Sequence, residues 1–234
     1  MNETSTNAPA NARPERGPHP GLVASVSFIL LIAGLSIAGA MSGGDALRSP
    51  FADTADLVNG VRAHHDATRV AAFFQLGSAI PLAIYAAAVY ARQLKLGIRV
   101  PGPVIGLVGG VMAVGSLLVS AFATYVESRP EIGTDPSVVH ALAFFAFVAG
   151  GPGYVMGLGL LIAGIAVPAF VLRIVPRWLA VVGLVLAVLS ELSWFGMLVH
   201  PAQFLLPVGR FVGGLWLIGI GFALPRQRTG TKVA

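Results

Sequence analysis

Of the chain's 234 residues, 56% are hydrophobic and only 11% are charged, whereas soluble domains carry roughly 25% charged residues, so water is not its main solvent. The formal charge of +5 comes from cations in short segments flanking apolar runs rather than from a soluble basic patch, which excludes nucleic acid as a partner. With no cysteine in the chain, disulfides, thiolate catalysis, iron–sulfur clusters and cysteine-bound zinc are excluded as well.

Residues 1–20 are polar and carry Pro9, Pro14, Pro18 and Pro20; such a segment buries too little apolar surface to order itself and is expected to be a disordered tail. Six apolar spans follow, near residues 21–41, 68–91, 103–126, 138–168, 178–200 and 202–224, each about 20 residues or longer, as crossing a bilayer requires. Arg13 and Arg16 precede the first span, and Ala38-Gly39-Ala40 resembles a signal-peptidase site. Yet the run exceeds the usual 7–15 residues of a signal peptide, so an uncleaved first helix is expected. The predicted fold class is therefore all-α: a six-helix transmembrane bundle over residues 21–226, followed by a basic tail at 227–234.

Ten of the fifteen basic residues fall on one side of these spans, at Arg13, Arg16, Arg92, Lys95, Arg99, Arg173, Arg177, Arg226, Arg228 and Lys232. The positive-inside rule then places both termini in the cytoplasm, with the lipid bilayer as the chain's first partner. The long connection between the first two spans, residues 42–67, lies outside. Within it Phe51, Leu57 and Val61 fall loosely on one face; a short surface helix and an ordered loop both fit that pattern. In the fourth span Gly150, Gly151, Pro152, Gly153, Gly157 and Gly159 cluster. Glycines let helices approach closely, and Pro152 removes one helical hydrogen bond and makes a candidate hinge.

Glu191 lies deep in the fifth span. At about 100° per residue it shares an arc with Ala180, Gly183, Ala187, Ser190 and Trp194, a small-residue face that points into a bundle. His200-Pro201 joins the fifth and sixth spans, with Glu191 as far before this turn as Arg210 is after it. An antiparallel pair brings the two level, and the expected ion pair between Glu191 and Arg210 offsets a cost of about 3 kcal/mol per charge at mid-membrane. His64, His65, Arg69, His140 and His200 all sit at external helix ends. If the second helix extends upward by a turn, His64, Thr68, Ala71 and Gln75 share one of its faces. Gln75, His64, His65, His140, Trp194 and His200 are thus the candidate ligand-binding residues, forming an outward-facing polar layer over the charge pair. No His pair stands at i, i+4 and no HExxH motif occurs. No cofactor is expected, and a metal or haem held by His64, His140 and His200 is the lesser alternative.

The stretches PRWLAVVGLVLAVLSELSWFGMLV and LLPVGRFVGGLWLIGIGFALPR resemble the C-terminal half of DUF4386, a bacterial integral-membrane family of unknown function. Pro176, Arg177 and Trp178 correspond to its short basic turn, and Pro207 through Arg226 to its last helix. The resemblance implies a plan of about six spans and no catalytic residue. Three functions remain open: a non-enzymatic bundle that binds a small molecule, lipid or protein partner; a membrane enzyme or b-type cytochrome using the external histidines; and a small transporter with Glu191 as its proton-coupled carboxylate and Pro152 as its hinge.

Overall fold

The computed structural model describes residues 17–44, 49–132 and 135–226. Residues 1–16 of the expected N-terminal tail and all of the basic tail at 227–234 lie outside the described residues. The chain is all-helical among the described residues, and six helical segments are long and apolar enough to cross a membrane. The first is α1 (Pro20–Ser42), opened by proline where the missing N–H costs nothing and closed by Gly43 at φ 62. The second and third spans are α3 (His65–Lys95) and α4 (Gly102–Glu127).

The fourth span runs from Pro136 to Val171 as α5 (Pro136–Val148), a π-helical turn at Ala149–Gly153, and α6 (Tyr154–Val171). The fifth is α7 (Arg177–Leu192), tightening to a 3-10 turn at Ser193–Met197. The sixth begins as a 3-10 turn at His200–Phe204 and passes through α8 (Leu205–Pro207) and a second π turn at Val208–Val212, ending as α9 (Gly213–Ala223).

The spans pack in chain order around a closed ring: α1 lies on α3 and α9, α3 on α4, α4 on α6, α6 on α7, and α7 on α9. The fourth span is the most buried of the six, and its Leu158, Ile162 and Ile165 form the centre of the core with Tyr85 and Ile220. Glycine sets the closest approach. A methyl group on Gly164 would lie 2.3 Å from the backbone nitrogen of Gly106, and one on Gly157 would lie 2.4 Å from that of Ala113; only a hydrogen fits at either place. Away from water a buried polar group left without a partner is costly. Tyr85 Oη donates to Leu217 O (3.0 Å), Gln93 Nε2 to Gly164 O (3.0 Å), Trp216 Nε1 to Leu179 O (2.8 Å) and Ser27 Oγ to Ser78 O (2.8 Å). Each of these bonds joins two different spans.

One end of the ring carries His64, His140 and His200, and is called the histidine end. The other, the arginine end, carries Arg92, Lys95, Arg99, Arg173 and Arg177. Next to α1, His19 is held below the ordinary histidine range by desolvation first and then by the charges of Arg92 and Arg226.

At the histidine end the long connection contains a helix, α2 (Thr54–Ala63). Asp53 caps it, its Oδ1 accepting from Ala55 N at 2.8 Å. Leu57, Val58 and Val61 are buried beneath α2, and the two valines pack on Val139. Of the two forms open for this segment, the helix is the one present. Phe51 precedes it and sits edge-on to Phe144, Phe147 and His200, with ring centroids 5.1–5.4 Å apart.

Candidate functional site

Beneath α2 lies a cavity of about 360 Å³, lined by all spans except the fifth. Two polar stripes run down it. Thr68, Ala71 and Gln75 come from α3, and their i, i+3, i+7 spacing puts them on one helical face. Ser120, Thr124 and Glu127 come from α4 at i, i+4, i+7, again on one face. Leu31 and Leu35 of α1, Leu57 and Val61 of α2, and Phe147 supply apolar walls. Arg210 enters from the second π turn.

The two π turns meet at the floor. Pro152 has no N–H to continue an α-helical ladder, and the chain accommodates it by widening one turn. Tyr154 N–H then bonds back to Ala149 O and Gly151 O. The carbonyl between them, Gly150 O, accepts from Arg210 Nη2. The guanidinium carbon also stands 5.4 Å from the centroid of the Tyr154 ring, over its face. A methyl on Gly150 would lie 2.4 Å from Ser120 Oγ and 3.4 Å from Gln75 Nε2, which puts Arg210, Ser120 and Gln75 at one depth. Gln75 Nε2 is 3.5 Å from Leu117 O, the limit of a hydrogen bond, so the amide has capacity left for a ligand.

The expected ion pair between Glu191 and Arg210 is absent. Glu191 Oε1 is buried with no hydrogen-bond partner, and neither residue belongs to any ion pair found among the described residues. The backbones do come level: a methyl on Gly209 would lie 2.8 Å from Ser190 Oγ and 2.4 Å from Val155 Cγ1. The side chains then diverge, because in any helix they lean toward its own N-terminus. In an antiparallel hairpin those leanings are opposed. Arg210 reaches toward the histidine end as far as Gly150, while Glu191 turns to Gly159, where a methyl would lie 2.6 Å from its Oε1. Nine residues of the fourth span separate the two glycines, roughly 13 Å at helical rise. Two further buried hydroxyls beside Glu191, Ser190 Oγ and Ser193 Oγ, also have no partner.

Of the remaining candidates, Gln75 lines the cavity, and His64, His65, His140, Trp194 and His200 do not. His140 instead straps the connection down. Its Nδ1 meets Thr54 Oγ1 at 3.1 Å and its Nε2 meets Pro50 O at 3.0 Å. Since a carbonyl only accepts, Nε2 carries the proton and Nδ1 accepts from the threonine. His65 lies 3.6 Å from Asp66, and His200 contacts the Phe51 ring. Trp194 is exposed and stacks on Phe195 at 4.3 Å; the 3-10 turn there advances about 120° per residue rather than 100°, carrying the indole off the face projected for an α-helix. His64, His140 and His200 do not gather into a metal-holding group, and the described residues include no such group of His, Asp and Glu. Pro152 lies in the π turn, buried, with α-helical geometry on both flanks.

Ser120, Thr124 and Glu127 also line the cavity, at a spacing legible in the sequence; Glu127 falls just beyond the third apolar span, and α4 extends to include it. On the outer surface a separate apolar groove of about 600 Å³ runs between Phe73, Leu76, Phe122 and Tyr125, with Arg69 also in its lining. No family model, curated protein or solved structure matches the chain.

Proposed function

We propose that this chain is a binding protein of the bacterial inner membrane, DUF4386-like in plan, with both termini cytoplasmic. It holds a small polar ligand in the cavity beneath α2, at the outward-facing end of the bundle. The observation that carries this reading is the convergence of Arg210, Gln75 and Glu127 on one cavity of about 360 Å³ between aliphatic walls. Ligand sites commonly fall within about 300–1,000 Å³, mostly apolar with a few placed polar groups. The residues brought together have the donors and acceptors of a binding site.

The absence of cysteine provides a clean test. A Thr124→Cys variant, lining the cavity, is expected to react with a small water-soluble thiol reagent, while Val155→Cys, buried in the core, stays unreactive in the folded protein. Equal inertness at both positions removes the binding cavity. A second reading, a small proton-coupled transporter, draws support from the unpartnered Glu191 carboxylate and the two unpartnered serine hydroxyls beside it. It requires pH-dependent flux in proteoliposomes that Glu191→Gln abolishes.

A further inference from the structure

Two ionisable side chains of opposite kind enter the cavity at different depths, and among the described residues neither is in an ion pair. Arg210 stands at the floor, level with Ser120. Glu127 lies two turns beyond Ser120 on the same face of α4, about 10 Å along the helix axis, in a residue only 6% exposed. Among the described residues no hydrogen bond or ion pair reaches its carboxylate. Thr124 lies between those depths, Gln75 is level with Arg210 and Thr68 stands two turns above Gln75, with Leu31, Leu57 and Phe147 as apolar walls.

Buried charge in a low-dielectric site is normally compensated, and here Arg210 and Glu127 form no ion pair with each other. A ligand of one sign would meet one of them and leave the other. We infer that the cavity takes a dipolar small molecule, with an anionic group set against Arg210, a cationic amine set against Glu127, and a short apolar chain between them. Such a ligand is neutral overall, so both protein charges are matched without bringing net charge into the membrane. The Gln75 amide and the Ser120 and Thr124 hydroxyls lie along its path as further polar contacts. The inference rests on the binding-cavity reading above and adds the polarity and length of what is bound.

Calorimetric titration of the full chain in phosphatidylcholine nanodiscs tests it, using three probes: 4-aminobutyrate, whose charged ends stand roughly 5–6 Å apart and with a contact of about 2.8 Å at each end span about 10 Å; butyrate, which lacks the amine; and 8-aminooctanoate, which when extended overshoots that span. The expected order is 4-aminobutyrate tightest by at least about tenfold, as removal of one partner from a desolvated charge pair costs at least that much. Glu127→Gln is expected to erase this advantage. If that variant does not fold, the ranking of the three probes on the unaltered protein decides alone. Butyrate binding as tightly as 4-aminobutyrate overturns the dipolar ligand, as does the absence of binding by all three when Thr124→Cys shows the cavity to be open. In both cases the cavity itself survives; an inert Thr124→Cys removes both.

Discussion

At the scale of single residues, Glu191 and Arg210 are independent of each other, and their substitutions should behave accordingly. Losing one member of a buried ion pair costs about 3–5 kcal/mol. Glu191→Gln keeps the shape of a side chain whose Oε1 has no partner and is expected to leave the thermal midpoint unchanged or raise it. Arg210→Met removes the bond to Gly150 O and the contact with Tyr154, for an expected loss of about 2 kcal/mol. The exchange Glu191→Arg with Arg210→Glu should not rescue folding; rescue in a thermal-denaturation series would restore the pair. The residues of this region were legible in the sequence as a charge of each sign at equal distances from a turn. Side-chain direction was not, because spacing locates Cα atoms and a long side chain ends a full turn away from its own.

At the scale of elements, close contact between α4 and α6 depends on glycines that face backbone. Gly164→Ala brings a methyl to 2.3 Å from Gly106 N, whereas Gly115→Ala meets nothing within 4 Å. The first is expected to cost about 1–3 kcal/mol or more, and the second to be neutral or slightly stabilising, since alanine is the better helix former; denaturation of the two variants in the same detergent separates them. The strap formed by His140 makes a second test. His140→Ala loses two hydrogen bonds to the connection before α2, each worth about 1 kcal/mol net. Amide exchange over Thr54–Ala63 should therefore accelerate by roughly tenfold or more, while α6 is unaffected. Unchanged exchange would mean that the buried face of α2 holds it without the strap. The histidines at this end read in the sequence as a polar layer, yet His140 and His200 are spent on the connection that covers the cavity.

At the scale of the whole molecule, six spans bring the first and last helices to the same end, and the ring closes through α1 and α9. The proposed orientation puts the arginine end in the cytoplasm. A membrane-impermeant thiol reagent added to intact cells is expected to label Asn59→Cys on α2 and to spare Arg99→Cys between α3 and α4. The reverse pattern would turn the cavity toward the cytoplasm and with it the source of any ligand.

Composition and the length of apolar runs determined the all-helical class, the number of spans and their approximate limits, because in hydrocarbon a helix must satisfy its own backbone and be long enough to cross. Of the face expected from His64 to Gln75, Thr68, Ala71 and Gln75 line the cavity and His64 does not. Only the tertiary structure decided that α4 sets a second stripe opposite, that two π turns meet at Gly150 and Arg210, and that Glu191 is left alone beside Gly159. Those outcomes depend on how one helix is rotated and seated against another, and local sequence patterns carry no information about a partner that is distant in the chain.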